Sequence, residues 1–427
     1  MNAGTTKALR LSIPLVLSEP VFGPHPERHI LVGKIGIVGN VAVTARGAKL
    51  RSSLGAVAGL GNSVDMTCRV NSKGVLVMKR WILASCPILL SVFVVLVPAA
   101  AQARTVAGGQ LSSGKPVKAT ISTRGQQIKY TFSGTARKHV TFQVTHFNFS
   151  SGSSPGSFYL KFRKPGSTSD YKSCFFTDNG YCDFTTPATG TWKVNVVPNS
   201  SSVGSMTLTF ARDVATRALT SGTPVTTTIK YQGQHAGYTF SGTANEHVTF
   251  QVTQFNFSDG SSPGSFYLYF YKPGSTSVYK SCFFTDNGYC DFTPPLTGTW
   301  TVKLVPNGAP VGIMTLTYAN DVATHALTSG TPVTTTIKFE GQHAGYTFTT
   351  GAGATKTFDV TQFNFSDGTS PGSFYLYFYK PGSTSSYTSC FFTDNGSCDV
   401  TTPVSGTWSI QLVPNGASIG SLTLTMP

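Results

Sequence analysis

A chain of 427 residues is long enough for two to four ordinary domains. Only 11% of its residues are charged, 12% are aromatic, and glycine and proline number 44 and 24, a mixture that suits β-sandwiches with many turns better than a helical bundle. The formal charge of +15 points to an anionic partner, but it is unevenly spread: residues 1–103 carry 11 Lys and Arg against 3 Asp and Glu, and residues 104–427 carry 21 against 14.

In chain order, residues 1–77 show no sustained helical or strand period. At residue 78 the pattern changes. Met78-Lys79-Arg80 is a short basic start, residues 81–97 are almost wholly apolar, and Ala101-Gln102-Ala103 has the small-x-small form of a cleavage site. This is the three-part layout of a secretory signal peptide over residues 78–103. It predicts a mature chain from Arg104, with residues 1–77 an upstream extension that is not native and not ordered. The rival is a retained signal anchor, since the apolar run could just span a bilayer. After cleavage no transmembrane span is expected. Leu83-Ala84-Ser85-Cys86 resembles a lipoprotein box, but most of the apolar run follows Cys86 rather than preceding it.

Beyond Arg104 the chain repeats itself. Trp192, Trp300 and Trp408 recur at one interval, as do Pro116, Pro224 and Pro332, and the string Cys-Phe-Phe-Thr-Asp-Asn-Gly occurs three times unaltered. A period of about 108 residues is too long for a solenoid unit and is the size of a self-sufficient domain. Three repeats follow, over residues 104–216, 217–324 and 325–427, with short linkers that keep them close. Within each, the period is two: Phe266, Leu268 and Phe270 alternate with Tyr267, Tyr269 and Tyr271, and Trp300, Val302 and Leu304 with Thr301, Lys303 and Val305. Such alternation between Gly, Pro and Asn clusters predicts seven or eight half-buried antiparallel strands per repeat, packed as two sheets.

Two segments carry a family resemblance: Tyr238-Thr239-Phe240-Ser241-Gly242-Thr243-Ala244 and Thr297-Gly298-Thr299-Trp300-Thr301-Val302. They resemble the bacterial pre-peptidase C-terminal domain, with its Phe-x-Gly-x-Ala and Gly-Thr-Tyr/Trp-x-Val steps. The resemblance implies three tandem jelly-roll-like antiparallel β-sandwiches. It also implies a role in adhesion or substrate targeting beside a secreted enzyme, although no enzyme accompanies the repeats here.

The candidate site residues follow from the repeat. Cys174 and Cys182, Cys282 and Cys290, Cys390 and Cys398 predict one disulfide per repeat in an exported chain. A plain hairpin at Asn179-Gly180 would not set these cysteines opposite each other, so an irregular pinned loop is expected. Gly152-Ser153-Ser154-Pro155-Gly156 matches the nucleophile-elbow string, but a strand follows it where the elbow needs a helix, so a turn is the better reading. His139 and His247 correspond to Thr355 in the third repeat, and His235 and His343 to Gln127 in the first. A site common to all three repeats would need its histidine in each, which predicts surface histidines and neither catalytic nor metal residues. Asp178-Asn179-Gly180 with Asp183 recurs in every repeat. Such oxygen ligands can hold calcium, and the same residues make turns by bonding their own backbone. No other cofactor is expected.

If Phe266, Leu268 and Phe270 face the core, then Tyr267, Tyr269 and Tyr271 face outward, as do Tyr375, Tyr377 and Tyr379. Phenols spaced roughly 6.6 Å apart make a flat amphipathic strip for a sugar ring or a protein surface, unless a loop or neighbouring repeat covers them. In the first repeat this row reads Tyr159, Lys161 and Arg163, and residues 109–216 hold 12 basic against 4 acidic residues. These features predict a secreted or cell-surface, non-catalytic binding protein for polysaccharide, cell-wall polymer or a protein surface. Nucleic acid is not expected, because its reader motifs are missing. The alternatives are a structural protein whose repeats pack on one another and, further off, a hydrolase accessory region or an enzyme with an unrecognised site.

Overall fold

The computed structural model describes residues 104–427 and, ahead of them, one short antiparallel ribbon of β1 (Cys68–Val70) with β2 (Leu76–Met78). The expected upstream extension and export signal otherwise lie outside the described residues. Among the described residues the regular elements are all strands, and no helix is long and apolar enough to cross a membrane.

The first repeat contains β3 (Thr105–Gln110), β4 (Pro116–Ile121), β5 (Gln127–Gly134), β6 (Lys138–Ser151), β7 (Ser154–Pro155), β8 (Phe158–Arg163), β9 (Lys172–Phe176), β10 (Gly180–Thr186), β11 (Gly190–Pro198) and β12 (Val203–Arg212). One sheet runs β10-β6-β12-β4 and the other β3-β5-β11-β8-β9. Without β3 and the two-residue β7, eight strands divide between the sheets in the order of two interleaved Greek keys, the jelly roll that was expected. The other two repeats have the same sheet order.

Two details differ from expectation. Each repeat opens with an additional strand paired in parallel: β3 beside β5, Val214–Ala218 beside Ala236–Gly242, and Val322–Ala326 beside Ala344–Thr350. The sandwiches are therefore mixed at one edge, with nine or ten strands each. Residues 216–217 and 324–325, read as linkers because they are polar, sit inside these strands. An edge strand exposes most of its side chains, so it carries a linker's composition while its backbone belongs to a sheet. Sheet membership places the change of domain at Asp213 and Asp321.

Each interior is built by the alternation. Phe266, Leu268, Phe270, Trp300, Val302 and Leu304 are fully buried, and the intervening residues are not. Trp300 lies 6.0 Å from Phe240 and 5.6 Å from Phe292 between ring centroids, and its indole N–H donates to the Leu296 carbonyl at 3.0 Å. A buried indole donor needs such an acceptor, and Trp192 and Trp408 use Ala188 and Val404 in the same way. In the second and third repeats a buried phenol also joins the strands: Tyr238 and Tyr346 donate to Thr227 and Thr335 at 2.7 Å.

The disulfides are Cys174–Cys182, Cys282–Cys290 and Cys390–Cys398. Cys174 lies on β9, which pairs with β8 in one sheet, and Cys182 on β10, which pairs with β6 in the other. The chain crosses from sheet to sheet between them, so the absence of a plain hairpin is borne out. Each cystine joins an edge strand of one sheet to an edge strand of the other.

Candidate functional site

Two regions recur with a geometry that interior packing does not require. The first is the outward face of the β8 sheet. Tyr159, Tyr267 and Tyr375 are half-buried, and each is packed on the ring of a phenylalanine from the neighbouring edge strand: Phe175, Phe283 and Phe391, at 4.8, 4.8 and 4.7 Å. These three phenylalanines are each 50% exposed. Tyr269 stacks on Tyr267 at 5.4 Å, and Tyr377 on Tyr375 at 5.5 Å. At the end of the row the Lys303 ammonium lies over Tyr271, and the Tyr379 hydroxyl donates to Gln411. The first repeat departs from this pattern. Its Lys161 and Arg163 both reach Asp170, at 3.6 and 2.6 Å, so part of the row's positive charge is neutralised locally. The half-exposed phenylalanines were missed in the sequence, although they stand in its most repetitive string.

The second region lies where one repeat meets the next. His139 begins β6. Its Nδ1 is 2.8 Å from Asp213 Oδ1, and its Nε2 is 3.1 Å from Asp183 Oδ2. The ring of His235, from the second repeat, stacks on it at 3.9 Å and 12°. The same carboxylate oxygen of Asp213 accepts the backbone N–H of His235 at 3.0 Å. The next junction repeats this arrangement: His247 bonds Asp321 at 2.8 Å and Asp291 at 3.2 Å, stacks on His343 at 3.9 Å, and Asp321 accepts from the His343 backbone at 2.9 Å.

Further bonds lock the same faces. Thr141 donates to the Gln232 carbonyl at 2.7 Å, and Thr249 to the Glu340 carbonyl at 2.7 Å. Gln234 and Gln342 reach back to the carbonyls of Arg212 and Asn320, each at 2.8 Å. The turn between them uses Gly233 and Gly341, at φ +72° and +73°, where a β-carbon would run into the rings of Tyr181 and Tyr289. Only glycine combines that conformation with so close an approach.

Burial would lower the pKa of His139, but the hydrogen bonds its ring donates to Asp183 and Asp213 outweigh it and raise the ring to about 9. His247 is raised to about 9 in the same way. Burial, followed by the charge on its stacked partner, pushes His235 down to about 4, and His343 likewise. Each junction therefore pairs an imidazolium, held between two carboxylates, with a neutral imidazole. Asp183 and Asp291 are lowered chiefly by these hydrogen bonds.

The reading of these residues as surface histidines is corrected. The His139 and His247 side chains are only 13% and 11% exposed. A shared site needs a histidine in every repeat only if it lies within a repeat. Three repeats have two junctions, and each draws one histidine from the repeat before and one from the repeat after. The offset pattern in the sequence is what a junction produces. His146, by contrast, is exposed, with Gln254 and Gln362 at its equivalent positions. All three occupy a bulge with φ between 52° and 53°, so that position is set by backbone shape.

The remaining candidates have structural duties. Asn179 accepts the backbone N–H of Phe147 at 3.0 Å, Asp178 accepts that of Asn179, and Asp183 is turned to His139. The Gly-Ser-Ser-Pro-Gly string is a turn, in which Asp259 accepts the backbone N–H groups of Ser261 and Ser262, each at 2.8 Å. A cleft of about 610 Å³ opens beside the first junction. It is lined by Arg137, Lys138, Arg212 and Lys303 along with His139 and His235. The matching positions at the second junction are Asn245, Glu246, Asn320 and Gln411, so only the first is basic.

Neither a known family nor any curated protein sequence matches the chain. Among solved structures it is similar to the Aeromonas hydrophila periplasmic inhibitor of g-type lysozyme, PliG, at 18% identity over 25% of this chain and 98% of that one, with a TM-score of 0.19. It is also similar to the CUB1-EGF-CUB2 fragment of human MASP-1/3, at 8% identity over 48% and 99%, with a TM-score of 0.17. The lipid-containing bacteriophage PM2 follows at 8% identity over 73% and 99%, with a TM-score of 0.15. Likenesses this slight assign the chain to no family.

Proposed function

We propose that the chain is an exported, non-catalytic binding array in which three jelly-roll modules each offer an aromatic platform to polysaccharide, cell-wall polymer or a similar extended surface. The observation that carries this reading is the repeated pair of a half-buried tyrosine and a half-exposed phenylalanine, at the same place in all three repeats. A phenylalanine left half in water forgoes much of the roughly 1.5–3 kcal/mol that full burial contributes. A sugar ring or apolar partner stacked on the pair would recover it. The presence of three disulfides and the signal-like segment support export. The basic cleft beside the first junction, lined from both repeats, suits an anionic polymer. With three modules on one chain, weak single contacts multiply into avidity.

The experiment is binding to isolated cell walls and to a glycan array, comparing the whole chain with a variant carrying Phe175→Ser, Phe283→Ser and Phe391→Ser. Loss of binding with unchanged folding is the expected result. Unchanged binding would move the site elsewhere, and no binding by the parent would favour the second reading, a structural rod. That reading has its own support in the directional bonds at both junctions.

A further inference from the structure

The junction clusters play no part in the platform reading, and they have the composition of a metal site. We propose that each junction binds one divalent transition-metal ion of the zinc class, held by His139, Asp183 and His235 at the first junction and by His247, Asp291 and His343 at the second.

One donor atom from each of the three residues lies within 4.8 Å of the other two, at both junctions. Two of the three donors are nearly at ligand spacing already. His139 Nε2 is 3.1 Å from Asp183 Oδ2, and His247 Nε2 is 3.2 Å from Asp291 Oδ2. Tetrahedral zinc with bonds of about 2.0–2.1 Å holds its ligand atoms roughly 3.4 Å apart. The ion takes the place of the proton shared between ring and carboxylate, and that proton leaves to solvent. The third ligand requires the ring of His235 or His343 to tilt out of its stack until a nitrogen converges on the ion. A fourth position is left for water.

Asp213 and Asp321 complete the set without touching the ion. Each accepts the Nδ1–H of the first histidine at 2.8 Å, which fixes the tautomer that points Nε2 inward. A carboxylate behind a ligating histidine is the usual outer partner of such sites. Two imidazoles and one carboxylate suit zinc and its neighbours better than calcium, which prefers oxygen alone. The donors come from two repeats, so an ion here ties consecutive domains together.

The two sites are not equal. Arg137, Lys138, Arg212 and Lys303 line the cleft at the first junction and repel a cation, whereas the second has Asn245, Glu246, Asn320 and Gln411. The second site should bind zinc at least about tenfold more tightly.

The test is zinc binding by the whole chain, stripped with chelator, titrated calorimetrically with zinc chloride and counted by elemental analysis after gel filtration. The variant carrying both His139→Asn and His247→Asn should retain two fewer ions per chain than the parent, and each single variant one fewer. Asp321→Asn should weaken the second site by about 10- to 100-fold while leaving its stoichiometry intact at high zinc. If the double variant fails to fold, His235→Asn with His343→Asn replaces it, because those changes leave the His139 and His247 bonds to aspartate in place. Equal zinc uptake by parent and variant, or no uptake by the parent at micromolar zinc, overturns the proposal and leaves the junctions as metal-free histidine–aspartate clasps. None of these outcomes bears on the platform, whose variants alter neither cluster.

Discussion

The interior of a repeat and the junction between two repeats hold the chain together in different ways. The interior is apolar and filled by rings from both sheets. Its contacts are non-directional, so one plan serves three times with small changes such as Phe210 for Tyr318. The junction is polar and directional, a set of hydrogen bonds around one histidine pair. An interior is complete within one repeat, but a junction exists only when two are adjacent. The closely similar interiors therefore answer a packing need inside each repeat, and the offset histidines a bonding need that exists only between two repeats.

The comparison sets an order of expected effects. Trp300→Ala strikes an interior and should cost the second repeat about 3–5 kcal/mol. Calorimetry should then show that repeat melting apart from its neighbours; a uniform shift of all three would mean that the junctions dominate cooperativity. Replacing Cys282 and Cys290 with serine removes the clip between sheets and should cost about 2.5 kcal/mol, read in the same way. Gly341→Ala strikes a junction. Its β-carbon would meet the Tyr289 ring, and the residue would be held at positive φ, so a loss of about 1–2 kcal/mol is expected. That loss should appear as independent movement of the third repeat by small-angle scattering, with the interiors unchanged. Tyr267→Ser on the outward row should change stability by no more than about 0.5 kcal/mol.

The last effect is one of pH. Burial, slightly offset by the bond to Thr227, raises Tyr238 to about 12, and Tyr346 behaves alike. Their contribution to stability is intact below the ordinary tyrosine value and is lost as pH rises through the folded value, because the unfolded chain ionises first. Ultraviolet titration should find both phenols still protonated at about pH 11 in the folded chain. Earlier ionisation would mean that the interiors open more readily than their packing indicates.

Much of the fold was legible. Alternation between Phe266 and Tyr271 assigned inside and outside correctly, because a strand has only two faces. The cysteine spacing pointed to the disulfides and to the missing hairpin. The opening strand of each repeat was not legible: Val214–Ala218 is an edge strand with one backbone partner and mostly exposed side chains, so it lacks the alternation that marks its neighbours. Of the candidate sites, the tyrosine row was placed on its proper face, while Phe283 and its counterparts were passed over as members of an invariant string. The junction was misjudged because His139 and His235 lie far apart in sequence and were each matched to equivalent positions in the other repeats rather than to each other, while Asp213 carried no signal.

The sequence alone determined the repeat, its two-faced strands and its pinned cysteines, since these follow from local periodicity and from identity between copies. Tertiary structure alone decided which surfaces meet. That choice rests on hydrogen bonds between residues about a hundred positions apart, such as Thr141 with Gln232. Local patterning cannot encode a partner at that distance, because whether a bond forms depends on how two finished domains dock.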